Sequence, residues 1–77
     1  MIPEQCRGAR AMLGVSRGDL AHRAQVAERT IADFEAARRQ PIPATLQALQ
    51  RALEDGGIEF TGAPNDQPGI RLRKVAP

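Results

Sequence analysis

The feature that most constrains this chain is a link of only three residues between two short helical segments. Ser16 and Asp19 form the pattern of a capping box, which predicts a helix over residues 17–24. A second helix is predicted over residues 28–36, so that only Gln25-Val26-Ala27 connects the two. A turn this short makes the second helix cross the first at a steep angle, and one face of the second helix then projects from the body of the protein.

Two further helices are predicted from apolar spacing and from the residues that interrupt it. An apolar stripe at helical spacing predicts a helix over residues 3–13, which Gly14 ends. Pro43 suits the first position of a helix over residues 43–54, because its fixed φ is already helical. Gly56 follows soon after as a stop signal. The pattern therefore predicts a mostly α-helical fold with four helices.

After the two glycines at 56 and 57, apolar residues alternate with charged ones, which indicates strands. Antiparallel pairing predicts three opposed pairs: Ile58 with Leu72, Phe60 with Ile70, and Glu59 with Arg71. A two-stranded ribbon alone is marginal in water, so its partner is either the helices or a second copy of the chain. We expect a domain over residues 1–55 and a hairpin tail over 56–77, with the four apolar residues of these pairs serving dimerisation.

The composition of the chain excludes several classes of function. Its 77 residues include one Cys and one His, which excludes an intrachain disulfide, a cysteine-based zinc cluster and a histidine-rich metal site. The sequence contains no nucleophile–base pair and no phosphate-binding loop, so we expect neither an enzyme nor a cofactor. Without a signal-peptide pattern or the roughly 20 apolar residues that cross a bilayer, we expect a cytoplasmic protein without membrane contact.

The choice of basic residue indicates a nucleic acid partner. Ten of the eleven basic residues are Arg, and Lys74 is the only Lys. The net charge of +2 is small, but Arg forms planar, bidentate contacts with phosphate and guanine. Aromatic residues make up only 3% of the chain, which argues against a stacking platform for single strands. The composition therefore favours a nucleic acid partner.

The segment over residues 15–35, VSRGDLAHRAQVAERTIADFE, resembles the helix-turn-helix of the Cro and phage-repressor type, called the XRE family. The matching positions are the Ser16 cap, buried Leu20-Ala21, Val26 in the turn, buried Ile31, and the Phe34-Glu35 ending. With the first and fourth helices, the resemblance covers about residues 4–54. It implies a compact four-helix λ-repressor-like domain whose third helix lies in the major groove of DNA.

The resemblance also implies which residues contact DNA. The candidates for base contact are Glu28, Arg29 and Asp33. The candidates for contact with the sugar-phosphate backbone are Arg17, Thr30, Arg38, Arg39, Gln40 and main-chain N–H groups near Ala44. In the family, the positions of Arg10 and Glu35 often form a partly buried ion pair between the first and third helices; a solvated Arg and Glu are the alternative.

The residues of the third helix support this assignment independently. Ile31 and Phe34 face the core, which leaves Glu28, Arg29 and Asp33 outward. Arg can donate two hydrogen bonds to guanine, and a carboxylate can accept one from the amino group of cytosine. Because carboxylates are repelled by phosphate, two of them on a DNA-facing helix would serve specificity. The alternative is a solvated face with ordinary charge pairs.

Three positions depart from the family pattern. Gln25 stands where the family usually has Gly, at a turn position where positive φ is expected. Ala27 replaces the usual Ser or Thr cap, which removes roughly 1 kcal/mol of helix support. Ala36-Ala37 replaces the common glycine-containing stop.

These observations predict a bacterial or phage DNA-binding regulator. We expect a sequence-specific repressor, located with the nucleoid, that binds a palindromic operator as a homodimer through its C-terminal strands. The alternative is an antitoxin-like module whose main partner is a protein such as a toxin, with DNA binding secondary. The two carboxylates on the third helix favour that alternative.

Overall fold

A computed structural model describes residues 1–63 and 66–73 of the chain. Over these residues the chain folds into four helices followed by a two-stranded antiparallel sheet. The elements in chain order are α1 (Pro3–Leu13), α2 (Arg17–Ala24), α3 (Glu28–Glu35), α4 (Pro43–Asp55), β1 (Ile58–Ala63) and β2 (Asp66–Leu72). This confirms a small, mostly helical domain with strands after the helices. Residues 64–65 and 74–77 of the expected tail lie outside the described residues. Within the described part, no helix is long and apolar enough to cross a bilayer.

Three of the helices end in the same way, with one residue in the left-handed conformation. That residue is Gly14 after α1 (φ 68°), Gln25 after α2 (φ 57°) and Ala37 after α3 (φ 59°). After α3, the Ala37 N–H donates to Phe34 O and the Arg38 N–H donates to Asp33 O, at 2.9 and 2.8 Å. This pair of bonds is the Schellman motif, and it ends α3 at residue 35, one residue before the predicted end.

The capping box predicted between the first two helices is confirmed. The Asp19 N–H donates to Ser16 Oγ at 3.0 Å, and the Ser16 N–H donates to Asp19 Oδ2 at 3.3 Å. Ala27, before α3, makes no side-chain cap hydrogen bond. The helix at 43–54 extends one residue beyond its predicted end, to Asp55.

The core is built from one side of every helix and the first residue of the sheet. It comprises ten apolar residues: Cys6, Ala9, Leu20, Ala21, Ile31, Phe34, Leu49, Ala52, Leu53 and Ile58. Leu20, Ile31, Phe34, Leu49 and Leu53 are among its largest fully buried side chains. Because α3 contributes both Ile31 and Phe34, its orientation on the domain is fixed by the core.

The sheet has the predicted register, with Ile58 opposite Leu72, Glu59 opposite Arg71, and Phe60 opposite Ile70. Its apolar face packs against the chain's own helices. Gly8 of α1 makes room for the Ile70 side chain of β2, since a Cβ there would lie 2.8 Å from Ile70 Cδ1. Gln5 Nε2 of α1 also donates to Gly69 O at 2.9 Å.

The four residues expected to serve dimerisation therefore differ in exposure. Ile58 is 1% exposed and belongs to the protomer's own core, whereas Leu72 is 48% exposed. Phe60 and Ile70 are half-buried and pack against the core cluster. On the other face, Arg71 Nη2 lies 3.2 Å from Glu59 Oε2.

Candidate functional site

α3 presents one side to the core and the other to solvent. Ile31, Phe34 and Glu35 are buried, whereas Glu28 and Arg29 at the start of the helix are exposed. The Arg29 side chain is 90% exposed, so it lies in solvent and does not pack against the core. The expected outward position of Arg29 agrees with this geometry.

Asp33 lies between two arginine side chains and is only 20% exposed. Its Oδ2 is 3.8 Å from Arg29 Nε, one turn earlier in α3. Its Oδ1 is 3.7 Å from Arg38 Nη1 in the following loop. These separations are charge contacts and are too long for hydrogen bonds. The Schellman motif supports the second contact, because it bonds the backbone of residue 38 to that of residue 33.

Glu28 faces the first turn of α2. A Cβ added at Gly18 would lie 3.6 Å from Glu28 Oε2, which places the carboxylate beside the N-terminal end of that helix. The partial positive charge of a helix N-terminus stabilises an anion there. Both carboxylates at the exposed side of α3 thus have electrostatic partners within the chain.

Two adjoining clefts lie between the exposed side of α3 and the segments around it. The first, of about 500 Å³, is lined by Arg17, Glu28, Arg29, Ala32, Asp33 and Arg38. The second, of about 210 Å³, is lined by Ala27, Arg29, Thr30, Asp33, Arg39 and Pro41. We call the residues of both clefts the α3 face. It carries four arginines and two carboxylates, a formal charge of 4 − 2 = +2.

The α3 face brings together most of the residues that the sequence predicted as DNA contacts. All three candidates for base contact lie on it, with Arg17, Thr30, Arg38 and Arg39. Gln40 is exposed and lines a third cleft, of about 310 Å³, with Arg38 and Arg39. Ala44 is exposed in the first turn of α4.

A buried ion pair fixes the end of α3 to α1. Arg10 Nε and Nη2 donate to the two carboxylate oxygens of Glu35, each at 2.7 Å. The side chains are 20% and 6% exposed, respectively. Arg10 Nη1 also donates to Val15 O at 3.3 Å. This bidentate geometry is the strong form of an Arg–carboxylate contact.

Two further α1 side chains contact Glu35, and sequence reasoning did not assign them this role. Cys6 Sγ donates to Glu35 Oε2 at 3.2 Å, and Arg7 Nη1 donates to the Glu35 main-chain oxygen. Cys6 and Arg7 precede Arg10 by four and three residues, so all three lie on neighbouring positions of one helical side. That spacing was the available signal.

The buried cluster shifts the pKa values of its members. Burial raises the pKa of Glu35, but hydrogen bonds from Arg10 and Cys6, together with the positive charges of Arg10 and Arg17, outweigh burial and leave that pKa below its ordinary value. The hydrogen bond to Glu35 raises the pKa of Arg10. Burial, with the adjacent Glu35 carboxylate, raises the pKa of the Cys6 thiol to about 12. Arg10 and Glu35 are therefore both charged at neutral pH, and Cys6 is a neutral thiol.

Within residues 1–63 and 66–73, no three His, Cys, Asp or Glu side chains form a group that could hold a metal ion. In comparisons with known proteins, no protein-family model and no curated protein matches this sequence.

Proposed function

We propose that this chain is a sequence-specific regulator that binds double-stranded DNA, with α2 and α3 as a λ-repressor-like helix-turn-helix. The observation that carries the proposal is the α3 face, on which Arg29 lies on the exposed side of one helix and three other arginines flank it. An α-helix with its side chains is about 10–12 Å across, and the major groove is about 12 Å wide. α3 therefore has the size and the charge to enter the groove.

Arg29 is the strongest candidate for reading a base. It is the second residue of α3, and recognition helices contact base edges with their N-terminal residues. Its side chain is 90% exposed, and a guanidinium can donate two hydrogen bonds to O6 and N7 of guanine. Arg29 therefore contributes sequence preference in this proposal.

The other arginines of the α3 face suit contact with phosphates. Arg17 begins α2, and Arg38 and Arg39 follow α3, so they flank the helix along its clefts. Cations in these positions release counterions from DNA and contribute affinity without reading sequence. Thr30, Gln40 and the main chain near Ala44 contribute neutral contacts to the same backbone.

The size of the module supports binding as a symmetric dimer. One recognition helix reads about half a site, and two copies related by a two-fold axis read a palindrome. The exposed Leu72 supports pairing of two ribbons, as do the outer edges of β1 and β2, on which no third strand pairs within residues 1–63 and 66–73. Ile58 takes no part, because it is enclosed in its own protomer's core. Such a dimer would repress transcription by occupying a promoter.

Selection from a random duplex DNA pool at near-physiological salt tests the proposal. The wild-type protein is expected to retain a palindromic sequence. Arg29→Ala should weaken binding to that sequence by about 1–3 kcal/mol and relax preference at one position of each half-site. Arg51→Ala, an exposed arginine of α4 outside the α3 face, is the matched control and should bind as wild type does. Retention of no duplex by the wild-type protein would refute the proposal.

Salt dependence separates the two kinds of arginine. Arg38→Ala should weaken binding to all duplexes alike and reduce the slope of log K against log salt by about 1. A change in base preference without a change in that slope would contradict the assignment of Arg38 to a phosphate.

A second candidate function is an antitoxin-like module with a protein partner. The observation that favours it is the half-exposed Leu72 at the end of the ribbon's apolar face, together with the Asp33 carboxylate on α3, which already has two arginine partners within the chain. Two results together would favour this function over the first. The chain would bind a purified protein partner tightly and stoichiometrically, with binding abolished by Leu72→Ser, and it would retain no duplex DNA.

A further inference from the structure

We propose that Asp33 is a positioning residue that sets the base preference of the α3 face through Arg29, without contacting a base itself. The inference rests on the proposed DNA-binding function. It assigns to Asp33 a role different from the base contact that the sequence suggested. It also names guanine as the base that each half-site presents to α3.

The geometry around Asp33 supports this role. The carboxylate lies low on the α3 face, with 20% exposure, whereas the two cations beside it are 90% and 74% exposed. Arg29 and Arg38 therefore reach an approaching DNA surface before Asp33 does. With two cations and one anion, the group has a net charge of 2 − 1 = +1, so the carboxylate does not prevent approach to phosphates.

The atom of Arg29 nearest Asp33 specifies how the guanidinium is oriented. That atom is Nε, at 3.8 Å from Oδ2, and it is the donor closest to the backbone of the five-donor fork. In this inference Asp33 acts on Nε, and the terminal Nη1 and Nη2 groups donate to DNA. Two parallel donors at the end of an arginine side chain match O6 and N7 of guanine.

Glu28 does not compete with Arg29 for this role. Its carboxylate lies beside the first turn of α2, near Gly18. Among the three side chains that the sequence suggested for base contact, Arg29 is the cation that can donate to O6 and N7 of guanine, and its side chain is 90% exposed.

A double-mutant cycle tests the inference. Four proteins are compared: wild type, Asp33→Asn, Arg29→Ala and the double variant. Each is titrated with the duplex selected by the wild type and with the same duplex carrying adenine in place of the guanine, and the ratio of the two Kd values is the guanine preference. Asp33→Asn should lower that preference about tenfold in the wild-type background and leave it unchanged in the Arg29→Ala background. Asp55→Asn, the same substitution at an exposed position of α4, should leave it unchanged in both.

Removing the carboxylate should also tighten binding to unrelated duplexes by about twofold, because one anion near phosphates is lost. A merely structural role for Asp33 would instead weaken binding to all sequences.

In DNA-free protein, NMR provides an independent measurement: the Arg29 Nε–H proton should exchange with water more slowly in wild type than in Asp33→Asn. Equal exchange rates would overturn the inference.

The outcomes distinguish this inference from the function on which it rests. Equal losses from Asp33→Asn in both backgrounds would mean that Asp33 contacts a base directly; the inference would then fail while DNA binding stands. The inference would also fail, with DNA binding intact, if no guanine in the selected site lost its preference in Arg29→Ala. No retained duplex for the wild type would overturn both.

Discussion

Glu35 is the residue through which α1 holds the end of α3. It accepts two hydrogen bonds from Arg10 and one from Cys6 on its side chain, and its main-chain oxygen accepts one from Arg7. Since α3 also carries the candidate base contacts, a loss at Glu35 would displace residues that never touch it.

Removing one partner of the buried ion pair should destabilise the protein strongly. Arg10→Ala leaves a carboxylate that is 6% exposed without its counter-charge, and such a loss costs about 3 kcal/mol. Urea unfolding measures this cost. Arg51→Ala, which removes an exposed arginine from α4, should change the free energy of unfolding by less than about 0.5 kcal/mol; a similar cost for both would contradict the ion-pair role.

The lowered pKa of Glu35 predicts a specific loss of stability in acid. The folded state holds this pKa below its ordinary 4.5, so the unfolded state binds a proton more readily. The contribution is full above pH 4.5 and is lost as the pH falls through the folded value. Urea unfolding at a series of pH values from neutral to 2 gives the slope of the unfolding free energy against pH. That slope should be smaller in Glu35→Gln than in the wild type. An unchanged slope would assign the acid sensitivity to other groups.

Cys6 should resist alkylation in the folded protein. Its side chain is 0% exposed, and the pKa of about 12 keeps it a thiol rather than the reactive thiolate. Iodoacetamide at pH 8 should therefore label Cys6 only as fast as the protein opens, and quickly in urea. Mass spectrometry follows the reaction; rapid labelling of the native protein would show that the α1–α3 contact opens locally.

At the scale of elements, α1, α2 and α3 share one way of ending, but only α1 has glycine at the left-handed position. Gln25 and Ala37 carry a Cβ there, which costs about 1–2 kcal/mol for an L-residue. The core compensates, because it fixes the helices before and after each turn. Gln25 could be predicted to have positive φ because the related family usually has glycine at that position. The sequence Ala36-Ala37 did not indicate which of the two alanines would adopt positive φ.

The two alanines after α3 provide a matched pair of substitutions. Ala37→Gly should stabilise the protein by about 1 kcal/mol, because φ is 59° there. Ala36→Gly should destabilise it by about 0.5–1 kcal/mol, because φ is −87° and glycine adds only chain entropy. Thermal or urea unfolding of both variants checks the signs. Two changes of the same sign would place the turn elsewhere.

At the scale of the whole molecule, the ribbon belongs to the fold of each protomer. Ile58→Ala should cost about 3 kcal/mol, within the range for emptying a core site. Leu72→Ser should change the unfolding free energy by only about 0.5 kcal/mol and should instead dissociate the proposed dimer. Urea unfolding and light scattering at tens of micromolar separate the two effects. A wild-type monomer at that concentration would refute dimerisation.

Most of the architecture could be predicted from local patterns. Helix caps, stop signals and the change of apolar period gave helix limits correct to one residue and the strand register. The packing of the ribbon could not be predicted, because its alternating pattern fits the chain's own helices and a second copy equally well. The two-sided contact of Asp33 was also inaccessible, since it depends on the path of the loop that brings Arg38 back over α3.

The hydrogen bond from Gln5 to Gly69 spans 64 positions of the chain, and this has a consequence during synthesis. A ribosome adding about 5–20 residues per second exposes α1 roughly 3–13 s before the strand that covers it. During that interval the nascent helix offers its uncovered side to chaperones. Slower translation of the messenger RNA between the codons for Gln5 and Gly69 should therefore lengthen the period in which the nascent chain is open to proteolysis.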